Sequence, residues 1–112
     1  MAIKETIVKE KSRRQDVESA TRFRHLISPG RIGKMTVRNR MVMPPMGTNY
    51  AADNGFVTER LVRYYEARAE GGTGLIIVEV AAVAPEGKGV SHQGGLWADK
   101  FIPRPRFLAG AI

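Results

Sequence analysis

Ten residues, "GLIIVEVAAV" from Gly74 to Val83, constrain this chain most: they are almost continuously apolar and rich in β-branched side chains. A strand with one wet face alternates apolar and polar residues, whereas an unbroken apolar run suits a strand covered on both faces, as in parallel sheets. A shorter run, Met41 to Met43, precedes it and stops on two consecutive prolines, Pro44 and Pro45. Proline has no N–H to give to a ladder, so pairing ends there. Between the two runs lies a helix pattern, Thr58 to Gly71. Thr58 suits the N-cap, Glu59 suits the positive end of the dipole, and Gly71-Gly72 supplies the stop. Leu61, Tyr65 and Ala69 recur on one face with Val62 and Tyr64 beside them, and Glu59 and Arg63 are spaced for an i,i+4 ion pair. Strand, helix and strand in so short a span form a βαβ unit with a right-handed crossover, so the fold class is α/β.

Ahead of this unit, "LISPGRIGKMTVRNR" places turn residues at Ser28-Pro29-Gly30 and at Gly33-Lys34, which predicts a small hairpin, Arg31-Ile32 against Met35 to Val37. Residues 1–22 are polar without a sustained period and are expected to form a basic flexible arm, partly helical around Asp16 to Arg22; residues 23–112 are expected to form one body. After the second strand, "APEGKGVSHQGGLW" reads as a Pro/Gly-rich loop. "ADKFIPRPRFLAGAI" reads as the start of a second helix, opened at Ala98-Asp99 and made irregular by Pro103 and Pro105.

The net charge of +7 invites a nucleic-acid reading, but its distribution argues otherwise. Residues 1–40 hold eleven Lys/Arg against four Asp/Glu, and residues 41–112 hold seven of each. The excess belongs to the N-terminal third, without a stripe of interleaved aromatics. With no cysteine, and with His25 and His92 as the only histidines, disulfides and thiolate sites are excluded and no metal site is expected. Redox chemistry needs a borrowed cofactor. No run approaches the ~18 apolar residues of a membrane span. The first 22 residues lack the apolar centre of a secretory signal, so a cytoplasmic protein is expected.

Ligands of parallel α/β folds lie beyond the carboxyl ends of the strands, which directs attention to Pro44–Asn49 and Val80–Ala84. The prolines free the backbone after them from the ladder. Gly47 removes a side chain that would hold a flat ring at a distance, Met46 adds polarizable apolar surface, and Thr48 and Asn49 offer hydrogen bonds. The alternative is a structural corner with an ordinary turn. Glu79, the one charge in the long strand, either contacts a ligand, pairs with an arginine or tilts toward an opening, since burying it unpaired is costly. His92 is expected as a solvated loop residue within reach of a ligand, and His25 as a side chain packed beside Phe23. Tyr64 and Tyr65 are expected in helix–sheet packing, and Trp97 at the start of the second helix. "GKG", Gly87 to Gly89, lacks the spacing of a phosphate loop.

The segments "RNR", "MPPMGTN", "GFVTERLVRYYEARAEGG" and "GLIIVEV", in that order and spacing, resemble the Old Yellow Enzyme-like NADH:flavin oxidoreductases, in particular the 2,4-dienoyl-CoA and 2-enoate reductase branch. The resemblance covers Phe23 to Ile112. It implies a (β/α)8 TIM barrel carrying FMN, with hydride passing from NAD(P)H through the flavin to an activated C=C bond of an enoate or enoyl-CoA-like substrate. It also implies that Pro45, Met46 and Gly47, and Val80 with Ala81, touch the flavin. Some relatives carry a cysteine or histidine at the Gly47 position, a role that glycine leaves unfilled. A full barrel takes roughly 250 residues, so the expectation is a partial barrel: an N-terminal hairpin, the first βαβ unit and the start of a second helix. The residues that complete the family's site are expected in missing parts, as are any FAD and iron–sulfur modules. Catalysis by this chain alone is not expected, and the chain is expected to need the rest of the barrel or an oligomeric partner. The alternative is a non-catalytic remnant or interaction subunit that binds no flavin.

Overall fold

The computed structural model of the chain describes residues 22–112. The helix expected around Asp16 to Arg22 lies almost wholly outside the described residues. Two compact units divide at Met41 and Val42.

In the first unit a one-turn helix, α1 (Arg24–Ile27), leads into strands β1 (Gly30–Ile32) and β2 (Met35–Val37). These pair antiparallel, with Gly30 opposite Val37 and Ile32 opposite Met35. The loop is Gly33-Lys34. Gly33 has φ 59°, the left-handed conformation that a two-residue hairpin with glycine first requires. The hairpin therefore forms as its turn residues predict, one residue longer at Gly30. His25 does not pack beside Phe23 as expected: it is exposed, and its carbonyl accepts the Ser28 hydroxyl at 2.9 Å.

The second unit opens with β3 (Val42–Met43), followed by a long loop, helix α2 (Glu59–Glu70) and strand β4 (Leu75–Ile76). Strands β3 and β4 run parallel, Val42 opposite Leu75 and Met43 opposite Ile76. The Ile77 N–H extends the ladder to the Met43 carbonyl at 3.0 Å, the last rung that the prolines permit. The βαβ unit is thus present in the expected order and direction. Thr58 caps α2 by accepting the Leu61 N–H, and the Glu59–Arg63 pair closes at 3.2 Å. At the other end the Thr73 N–H reaches the Arg68 carbonyl and the Gly72 N–H reaches the Ala69 carbonyl around left-handed Gly72 (φ 98°), a Schellman closure.

Two expectations need correction. The run Gly74–Val83 is not one strand covered on both faces. It divides into β4 and a second short strand, β5 (Ala81–Ala82), and Ile77, Val78, Val80 and Val83 are exposed. A ladder lasts only as long as its partner, and β3 ends at Pro44. Met43 and Ile76 pack against the core side chains of α2, whereas Val80 stays 62% exposed and Val83 81%. The Pro/Gly-rich stretch is not all loop either: Gly94–Gly95 form strand β6, parallel to β5. Glycine is a poor strand former, but here it makes room. A Cβ on Gly95 would sit 2.3 Å from a ring carbon of Trp97, and one on Gly55 would sit 2.7 Å from that indole.

Trp97 meets Phe101 edge-on at 4.7 Å and so anchors the turn into the last helix, as expected. A 3-10 turn (Asp99–Phe101) precedes α3 (Pro103–Ala111). Pro103 and Pro105 fall in the first turn of α3, where the N–H groups have no intrahelical partner anyway. Leu61, Val62 and Tyr65 of α2 and Leu108 of α3 form the buried core, with Met43, Val57 and Ile76 against it.

Candidate functional site

Because β3 and β4 are parallel neighbours, the residues after each emerge at the same end of the pair. Pro44 to Gly47 are exposed there, and the N–H groups of Met46 and Gly47 have no protein partner among the described residues. A Cβ built on Gly47 meets nothing within 4 Å, so packing within the described residues does not require glycine at this position.

One bond joins the two segments. The Thr48 N–H donates to the Glu79 carboxylate at 2.6 Å, across 31 residues of sequence. Glu79 is 9% exposed. Its own N–H donates to the Tyr65 hydroxyl at 2.8 Å, which anchors the residue to α2. Tyr65 is fully buried, and burial first of all pushes its hydroxyl above the ordinary 10.0, with the Glu79 charge and Tyr64 adding to the rise and the bond from the Glu79 backbone opposing it. The hydroxyl therefore stays neutral as an acceptor at physiological pH. Tyr65 does more than pack, which helical spacing alone does not reveal.

The secondary candidates also serve the fold. The Thr48 hydroxyl oxygen accepts the Tyr50 N–H at 3.2 Å. Asn49 is left-handed, φ 59°, and its side-chain oxygen accepts the His92 N–H at 3.1 Å. Among non-glycine residues Asn tolerates this conformation best. The His92 carbonyl in turn accepts the Ala51 N–H at 3.2 Å, while the imidazole remains exposed as expected. Lys88 of "GKG" binds no phosphate-like cradle: its ammonium donates to the Asp53 carbonyl at 2.6 Å and also to that of Ser91. These bonds stitch the loop after β3 to the loop after β5.

A cavity of about 220 Å³ lies beside this seam, lined mainly by apolar residues including Val57, Leu61, Val80, Leu96 and Leu108. It takes in Val80 and Ala81 but not Pro45, Met46 or Gly47. The two expected flavin segments leave the strand pair at one end, and this cavity takes in the second of them and not the first. No group of three or more His, Cys, Asp or Glu residues could hold a metal among the described residues.

Residues 25–112 match the model of the NADH:flavin oxidoreductase / NADH oxidase family. The chain belongs to this family. An NADH oxidase of Thermoanaerobacter brockii is 53% identical over 93 residues, which is 82% of this chain and 14% of that protein. An NADPH dehydrogenase of a Geobacillus strain is 40% identical over 89 residues, 78% of this chain and 26% of that protein. Among solved structures, a 2-naphthoyl-CoA reductase in complex with 2-naphthoyl-CoA superposes with TM-score 0.76 at 34% identity, covering 79% of this chain and 14% of that one. The old yellow enzyme of Trypanosoma cruzi superposes with TM-score 0.70 at 34% identity, covering 80% of this chain and 24% of that one. The chain thus spans about a seventh to a quarter of the length of these NADH:flavin oxidoreductase relatives.

Proposed function

We propose that residues 23–112 form the first part of a (β/α)8 barrel in an FMN-dependent ene-reductase, and that Pro45, Met46, Gly47, Val80 and Ala81 contribute to its flavin site. The observation that carries this reading is the parallel β3–β4 pair, with both segments leaving it at one end and joined by the Thr48–Glu79 bond. Such an end is where parallel α/β folds bind ligands. The residues fit a flat cofactor: Met46 offers exposed apolar surface, Gly47 leaves open space, and two backbone N–H groups are free to donate to ring acceptors.

When bound, FMN supplies hydride transfer from NAD(P)H to an activated C=C bond; the protein's part is to bind and orient. The likeness to a 2-naphthoyl-CoA reductase supports an enoyl-CoA-like or enoate substrate. The cytoplasm is the compartment in keeping with such a reductase, and no helix among the described residues is long and apolar enough to cross a membrane.

Titrating the purified chain with FMN, followed by quenching of flavin fluorescence, tests the reading. Saturable binding supports it, and absence of uptake by the chain, alone or with its partner, refutes it. Gly47→Ala is expected to leave the unfolding midpoint unchanged, because its Cβ has open space, while weakening FMN binding at least severalfold. A second reading, a non-catalytic interaction subunit, is favoured by the exposed apolar residues Val80 and Val83; it predicts partner capture without flavin.

A further inference from the structure

Glu79 combines three features that ordinary strand packing does not explain. It carries a buried carboxylate within an apolar run, its Oε2 lies 2.6 Å from the Thr48 N–H, and its own N–H is fixed on the Tyr65 hydroxyl. A backbone amide held by a carboxylate is a charge-assisted bond, shorter and stronger than a neutral one. Thr48 follows Gly47 directly, and the segment it terminates has no ladder of its own, because Pro44 and Pro45 cannot donate. Among the described residues, this bond is what ties the exposed backbone 44–47 to the body of the second unit from its far side, while the Met43 carbonyl ties it from the near side.

We infer that Glu79 is a positioning residue: its carboxylate holds the backbone of Met46 to Thr48 in the conformation that receives the isoalloxazine ring. This rests on the flavin reading above. The length of the side chain matters, because Glu79 itself is held from behind by Tyr65 and cannot slide forward. Aspartate is one methylene short of the Thr48 amide; glutamine keeps an acceptor at the same reach. Apolar filling of the same volume would preserve packing and lose the tie.

The experiment uses the full chain as wild type and as Glu79→Gln, Glu79→Asp and Glu79→Leu. Two quantities are read: amide hydrogen exchange at Thr48, which needs no ligand, and FMN affinity by fluorescence quenching. The expected result is a protected Thr48 amide in wild type and Glu79→Gln, with FMN affinities within about threefold of each other. Glu79→Asp and Glu79→Leu are expected to lose that protection and at least tenfold in affinity, while amides in α2 stay protected. Free exchange at Thr48 in the wild type overturns the proposal. Loss of Thr48 protection with unchanged FMN affinity overturns it as well. Should the wild type bind no FMN, alone or with its partner, the flavin reading fails by itself, and Thr48 exchange still decides whether Glu79 holds this backbone.

Discussion

Tyr65 shows how much one hydroxyl can organise. Its ring fills the core between the helices, and its oxygen accepts the backbone N–H of the residue that binds Thr48. Tyr65→Phe keeps the ring but leaves a buried N–H without its acceptor, an expected loss of about 1–3 kcal/mol in chemical denaturation. The same substitution alters the pH profile. The folded state holds the Tyr65 proton above the ordinary 10.0, so its stabilisation is intact below that value and is lost as pH rises through the raised one. Urea midpoints measured at neutral pH and above pH 10.0 should therefore fall less steeply in the phenylalanine variant. Thr58 is a second such residue: its hydroxyl oxygen accepts the Leu61 N–H while its O–H donates to the Tyr50 carbonyl. Thr58→Ala should cost about 1–2 kcal/mol, read from the same denaturation curves.

At the scale of elements, α2 and its two ends were legible in the sequence, because cap, apolar face and stop are local signals carried by neighbouring residues. The hairpin and the β3–β4 pair were legible in place and direction but not in length, and β6 was read as loop. Strand length depends on the partner, and the partner of Ala81–Ala82 is a pair of glycines that no propensity favours in a sheet. The signal available was "GGLW": small residues just ahead of a large ring that folds back on them. Gly95→Ala is expected to destabilise the unit by about 1–3 kcal/mol through collision with the indole. Gly94→Ala, with nothing within 4 Å of the added carbon, should cost clearly less, and Trp97→Ala should relieve the Gly95→Ala penalty in a thermal double-mutant cycle.

For the whole molecule, the apolar side chains left at the surface matter most. Val83 is 81% exposed and Val80 62%, and both belong to the run whose composition calls for cover on two faces. The chain is expected to bind a hydrophobic dye such as ANS while α2 remains intact by circular dichroism. Val83→Lys should lower dye fluorescence and change stability by no more than about 0.5 kcal/mol, since the side chain has little packing to lose.

Sequence alone determined the order and polarity of the hairpin and the βαβ unit, because turn chemistry, prolines and apolar period act over a few neighbouring residues. It also pointed to the two segments at the strand ends. Only tertiary structure decided what Glu79, Asn49 and Gly94-Gly95 do, since each finds its partner between 13 and 43 residues away. A buried carboxylate must have a donor, but its own sequence neighbourhood does not say which; the parallel pairing of two strands brought the Thr48 amide within reach.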